Sequence, residues 1–183
     1  MPLTFRKATP ADTPATLALV SSAYRGDHSR AGWTTEADLF TGARIDAAGV
    51  AAKISDPRGA VLLAHDPADP DPDALVACCE VVLRPDPAAA ATAYFGLFAV
   101  DPLRQAGGFG RLTLQRAEDY ARDEWGARRM EMNVISTRDE LIAWYLRRGY
   151  RRLEQTRPFP YDEVPTGSAL KNDYYFVVLD KEL

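Results

Sequence analysis

Residues 104–111 read Arg-Gln-Ala-Gly-Gly-Phe-Gly-Arg, with three glycines in four positions, and they separate two segments of different periodicity. The preceding TAYFGLFAV is a run of aromatic and branched residues suited to a strand. The following GRLTLQRAEDYARDEWGA sets Phe109, Leu112, Ala117, Tyr120 and Ala121 close to a 3.6-residue repeat and stops at Gly126, a natural helix end. The chain must therefore pass from strand to helix within a few residues. The loop's N–H groups then lie at the positive end of the helix dipole without intrahelical partners, a place that binds phosphate. Glycine lets an anion reach that backbone and permits positive φ.

Two phosphate motifs fit poorly. A P-loop ends in Gly-Lys-Ser/Thr, whereas Gly110 is followed by Arg111 and Leu112. A dinucleotide G-x-G-x-x-G read from Gly108 meets Thr113 at its third glycine. Glu131 does stand about 20 residues beyond, where an acidic ribose partner belongs, so that reading is weakened rather than eliminated. A turn that is glycine-rich for steric reasons alone is the third alternative.

The rest of the chain supplies the sheet and its cover. LTFRKA reads as a first strand, and a helix follows, with Thr9 or Asp12 as cap, Leu17, Val20 and Tyr24 at helical spacing, and an end at Gly26. The stretch from Asp27 to Gly59 reads as helical with irregular joins, with a capping Thr at the head of TTEADLF and a short helix in DAAGVAAKIS. GAVLLAHD and ALVACCEVVLR form a hairpin across the turn PADPDPD, and a second proline-marked turn, PDPAAA, leads into TAYFGLFAV. RRMEMNVIS alternates as a strand. STRDELIAWYLRRG has Ser136 or Thr137 as cap, acids in its first turn and arginines in its last. YRRLEQT and DYYFVVLDKEL close as strands, joined by RPFPYDEVPTGSALKN. Strands in a run followed by strands alternating with helices predict a mixed, helix-covered α/β sheet of the α+β type.

Length and composition limit the partners. The 183 residues suit one domain, residues 1–183, and 46% hydrophobic with 26% charged residues is the make-up of a folded soluble chain. A net charge of −4 argues against nucleic acid as main partner. No apolar run approaches the roughly 20 residues of a membrane span, and no basic start precedes one, so a cytoplasmic location without membrane contact is expected. Cys78 and Cys79 are neighbours that point to opposite faces of a strand, unable to bridge, and the distant His28 and His65 complete no ligand set, so no metal is expected.

The segment LFAVDPLRQAGGFGR resembles the coenzyme A loop of the GNAT superfamily of N-acetyltransferases, with pattern Q/R-x-x-G-x-G/A. Gln105, Gly108 and Gly110 fill its specified positions, Val100, Asp101 and Pro102 match the family's V-x-P, and Tyr145, Gly149 and Tyr150 its later Y-x-x-x-G-F/Y. The resemblance implies a GNAT-like, mostly antiparallel sheet of about seven strands with a central splay that receives acetyl-CoA as co-substrate. It implies that backbone groups of Gln105, Ala106, Gly107, Gly108, Phe109, Gly110 and Arg111 hold the pyrophosphate. Phe98, Ala99 and Val100 would pair with the pantetheine arm, and a backbone N–H there would polarise the thioester carbonyl. Arg104 and Arg111 are candidates for additional charge on the phosphate grip.

The implied reaction is transfer of acetyl from acetyl-CoA to a primary amine, of a small molecule rather than a protein tail, with Tyr145 protonating the leaving thiolate. The structural alternative makes Tyr145 a core aromatic, since it shares a helical face with Leu141, Ile142 and Leu146. Many members carry a glutamate on the strand before the loop; here there is none, which leaves the general base open and favours water-mediated deprotonation. Glu80 is a candidate, though a strand glutamate is expected to face solvent. The Asn that the family often has seven residues before the tyrosine is here Arg138, a side chain long enough to reach a phosphate instead. For the acceptor, Tyr24, Trp33 and Tyr161, with Phe159, are candidate pocket aromatics, and Glu36, Asp162 or Glu163 candidate attractors of a cationic amine. A non-catalytic acyl-CoA sensor and a nucleotide-dependent oxidoreductase are the competing classes. The oligomeric state is open, homodimers being common in the family.

Overall fold

A computed structural model describes residues 3–71, 73–84, 91–165 and 167–183. The PDPAAA turn expected at 85–90 lies outside the described residues. Seven strands form one sheet: β1 (Thr4–Lys7), β2 (Gly59–His65), β3 (Leu75–Arg84), β4 (Thr92–Val100), β5 (Arg129–Ile135), β6 (Arg151–Pro158) and β7 (Tyr175–Glu182), in the spatial order β1-β2-β3-β4-β5-β7-β6. Every pairing is antiparallel except β4 with β5. Among the described residues the α-helices are α1 (Thr13–Tyr24), α2 (Gly26–Ser29), α3 (Ala47–Ser55), α4 (Phe109–Trp125) and α5 (Asp139–Leu146). None among the described residues is long and apolar enough to cross a membrane.

Both faces of the sheet are covered. On one, Leu114, Ala117 and Ala121 of α4 and Ile142 and Tyr145 of α5 bury Cys79, Phe95, Met130 and Met132. On the other, Leu19, Val20 and Ala23 of α1 and Val50 and Ile54 of α3 pack on Val61, Leu63, Cys78 and Leu97. The adjacent cysteines thus enter separate clusters, both free, and burial pushes the Cys78 thiol up to about 12. Leu114, outside the sequence-derived apolar set, is more deeply buried than Leu112, so the buried stripe of α4 is rotated from the expected one.

The parallel contact between β4 and β5 is brief. Thr92, Ala93 and Tyr94 pair with Arg129, Met130 and Glu131, after which the strands diverge. From Phe95 onward β4 pairs only with β3, and there its register slips: Cys78 faces Ala99 but Glu80 faces Gly96, leaving Leu97 and Phe98 opposite Cys79. This bulge holds Leu97 at φ 42°, a conformation that non-glycine residues avoid. The sheet therefore opens into a wedge at its centre.

Elsewhere the reading of TTEADLF as helical does not hold. Residues 34–40 form turns that end in an isolated bridge between Phe40 and Ala169. The cap of α5 is Arg138 rather than Ser136 or Thr137, with no side-chain cap bond. Thr9 and Asp12 make a capping box one turn ahead of α1.

Candidate active site

The loop after β4 carries out the expected change of direction. Ala106 and Gly108 take φ of 69° and 85°, and Gly108 is the N-cap of α4. The first helical bond runs from the Leu112 N–H to the Gly108 carbonyl at 3.1 Å, so the N–H groups of Phe109, Gly110 and Arg111 precede any intrahelical partner. A Cβ on Gly108 would meet nothing within 4 Å, whereas one on Gly110 would lie 3.3 Å from Phe98 and 3.5 Å from Trp144. The first glycine supplies open space and positive φ; the second permits close packing of α4 against β4 and α5.

A cavity of about 370 Å³ opens in front of these amides, lined by Phe98, Ala99, Val100, Gln105, Ala106, Gly108, Gly110 and Arg111 from β4 and the loop. Gly107 and the Phe109 ring lie outside its lining. The ring turns into the core formed by Leu3, Val76 and Val100. Gln105 ties the loop down, its amide donating to the Val100 carbonyl at 3.2 Å and accepting from the Trp33 N–H at 2.9 Å.

Among the charges, Arg104 and Arg111 differ. Arg104 is ion-paired with Asp69 and, at 3.3 Å, with Asp66, and does not line the cavity, so its expected place on the phosphate grip is corrected. Arg111 does line it, together with Arg147 and Arg148 of the segment after α5. No ion pair joins these three arginines to a carboxylate among the described residues. Arg148 stacks on Trp144 with its guanidinium 3.5 Å from the ring centroid, and its buried Nε has no partner. Burial, then the nearby charges of Arg147 and Arg111, lower the pKa of Arg148. In the sequence Arg147 and Arg148 stand out only as helix-end charges. The available signal was the absence of any acidic residue within four positions of either.

A second cavity, of about 310 Å³, lies on the other side of the wedge, and Tyr24, Phe98, Arg138, Leu141 and Tyr145 line both. Tyr145 is 4% exposed, edge-on to Phe95, Trp144 and Tyr150. Burial first, and the neighbouring Tyr24 hydroxyl second, push its pKa far up, so it holds its proton at neutral pH. The Tyr24 hydroxyl donates to the Phe98 carbonyl at the bulge.

The acceptor-side residues are redistributed. Trp33 lines the first cavity, 6.5 Å from Trp144, and not the second. Tyr161 accepts from the Tyr174 N–H at 2.7 Å in an aromatic cluster and lines an outer hollow with Asp162, while Phe159 and Val164 reach the second cavity. Glu36 reaches it too, but its carboxylate is enclosed by Arg25 at 2.7 Å, Arg138 at 2.8 Å and Arg44 at 3.1 Å and is not free to attract an amine. Those cations hold its pKa low despite burial, which opposes ionisation. Arg138, also bonded to Thr34 at 2.6 Å, is thereby committed to Glu36 rather than to a phosphate.

Glu80 is 5% exposed, contrary to its expected solvent-facing position. It pairs with Lys53 at 2.8 Å, and its Oε2 stands 3.2 Å from where a Cβ on Gly96 would be. A carboxylate from β3 therefore occupies the space that a side chain at position 96 of β4 would fill. Glu131 is bonded to Arg84 at 2.8 Å and Arg157 at 2.7 Å, leaving it no ribose role.

The mixed sheet is thus parted at its centre, with one cavity on a helix N-terminus and another meeting it at a buried tyrosine. The family model of the acetyltransferase (GNAT) family matches residues 19–150, and the chain belongs to that family, as an acyl-CoA-dependent N-acetyltransferase. A search of curated proteins finds no match. Solved structures share the fold. The NatC complex bound to Gag peptide and CoA aligns with a TM-score of 0.70 at 13% identity, over 100% of this chain and 99% of that one. The ribosomal-protein-alanine N-acetyltransferase of Brucella melitensis gives 0.69 at 18% over 99% and 100%. The Escherichia coli ribosomal-protein-S18-alanine N-acetyltransferase gives 0.68 at 16% over 98% and 93%.

Proposed function

We propose that this chain transfers the acetyl group of acetyl-CoA to the primary amine of a small molecule, with Tyr145 as the proton donor to the departing sulfur. The observation that carries the reading is the meeting of the two cavities at Tyr145. Acetyl-CoA supplies the acyl carbon and the thiolate leaving group. The amides from Gln105 to Arg111 bind its diphosphate, aided by the helix dipole and by Arg111, Arg147 and Arg148. The edge of β4 that β5 leaves unpaired after Tyr94 offers backbone groups at Phe98, Ala99 and Val100 to the pantetheine arm.

Holding both partners in register supplies much of the rate, and the shared waist of the cavities sets that register. As the new N–C bond forms and the C–S bond breaks, Tyr145 gives its proton to sulfur. The amine's proton leaves on the acceptor side, where Glu80 is the carboxylate without an arginine cage and accepts it directly or through water. The small size of the acceptor is supported by the volume of the second cavity, about 310 Å³.

The test is turnover of an amine panel with thiol release as readout, in the wild type and in Tyr145→Phe. The variant is expected to lose on the order of 100-fold in kcat while calorimetric acetyl-CoA affinity stays unchanged. Full activity in Tyr145→Phe would remove the donor role.

A further inference from the structure

We propose that the acceptor is an amino acid-like molecule whose carboxylate is bound by Arg25 and Arg44, leaving its amine to face Tyr145. This deepens the N-acetyltransferase reading and rests on it. The charged residues lining the acceptor cavity are Arg25, Arg44, Lys53 and Arg138 against Glu36 and Glu80, four cations against two carboxylates. Lys53 and Glu80 close as one pair. Glu36 is left to balance three guanidiniums, so a surplus of two positive charges lines a cleft walled in part by aromatic rings.

The donors outnumber what Glu36 accepts. Its Oε1 takes Arg138 and, at 3.5 Å, Arg44, and its Oε2 takes both Arg25 and Arg44. Each guanidinium carries five N–H groups in a rigid fork that matches a carboxylate. Arg138 is spent: it is 10% exposed and its second bond goes to Thr34. Arg25 is not: among the described residues its bonds run from Nη1 alone, to Glu36 and to the Tyr24 carbonyl at 3.4 Å, and its buried Nε has no partner. The Arg44 guanidinium lies 4.1 Å over the Tyr24 ring and that of Arg25 4.9 Å over Phe40, so apolar faces replace part of their hydration. Unbalanced charge in such a place is costly, and an anion that brings two acceptor oxygens relieves it.

Position gives the orientation. Arg138 borders both cavities, while Arg25 and Arg44 border only the acceptor cavity. An anion on them therefore lies on the side away from the α4 N-terminus, and the remainder of the molecule points toward the waist at Tyr145. The volume of about 310 Å³ suits a single small acid rather than a chain.

The experiment measures kcat/KM, with saturating acetyl-CoA, for a set of α- and ω-amino acids. Each is set beside its carboxamide and the amine lacking the carboxyl group, and an acidic peptide is included. At least one acid is expected to exceed its carboxamide by about tenfold or more, the worth of bonds to a charged group. In Arg44→Gln the loss is expected to be larger for the acid than for its carboxamide and to fall on KM. The wild-type series needs no variant to fold. A carboxamide or plain amine that equals every acid, a peptide that outruns them all, or an unchanged gap in Arg44→Gln would overturn the proposal while leaving an N-acetyltransferase. Failure of the parent reading looks different: no turnover of any amine and no calorimetric binding of acetyl-CoA.

Discussion

On the α4 side of the splay, positive charge comes from unpaired backbone amides and from Arg111, Arg147 and Arg148, and no carboxylate among the described residues pairs with any of the three. On the other side, charges come in buried contacts, Lys53 with Glu80 and three arginines around Glu36. The first side is a surface held ready for a strongly charged ligand whose counter-charge arrives with it. The second is partly neutralised from within, Glu80 offsetting Lys53 and Glu36 one of its three guanidiniums. Backbone amides tolerate most changes of side chain, whereas a caged carboxylate depends on every partner. The two sides should therefore respond differently to substitution.

Removing the cage should have the largest effect. Glu36→Gln leaves three guanidiniums around a neutral amide and is expected to destabilise the fold by about 3–5 kcal/mol in denaturant titration. The pH dependence sharpens this. Because the cations hold the Glu36 pKa below its ordinary value, its contribution is complete above the usual carboxylate range and is lost as pH falls through the lowered folded value. The stability gap between wild type and variant should then close on acidification; a gap that widens would break the contrast between the two sides.

A smaller effect separates the arginines of the coenzyme side. Arg148→Gln should weaken acetyl-CoA binding about tenfold, since it removes a charged donor with a free Nε. Arg104→Gln, whose guanidinium is already occupied by Asp66 and Asp69, should change it by less than about threefold. Equal losses in calorimetry would mean that the partners of Arg104 do not hold it away.

The same division explains what the sequence discloses. β4 keeps its expected bounds, Thr92–Val100, and α4 runs from Phe109 to Trp125 with Gly126 at φ 61° as its end, because periodicity and glycine placement are local signals. The loop and the order of the elements are legible for the same reason, whereas Tyr145 is singled out only by the family resemblance. Glu36 stands out in the sequence as a candidate attractor of a cationic amine but not as the centre of an arginine cage, since the partners that bury it lie 8, 11 and 102 residues away. Glu80 misleads because an acid in a strand is expected to face solvent, which holds only where one face is bare, and helices cover both faces of β3 here. Tyr161 and Trp33 have the aromatic character of pocket residues but are placed by loops, whose path composition does not fix.

The central claim is that the amides at the head of α4 hold the diphosphate and so aim the acyl end at Tyr145. Calorimetric titration of acetyl-CoA into the wild type and Gly108→Glu tests it most directly. The variant places a carboxylate where nothing stands within 4 Å of the Cβ, and its backbone strain at φ 85° should cost the fold only about 1–2 kcal/mol. Affinity is expected to fall on the order of 100-fold or more through like-charge repulsion, with the thermal transition still cooperative. A folded Gly108→Glu protein that binds acetyl-CoA as tightly as the wild type would contradict the account.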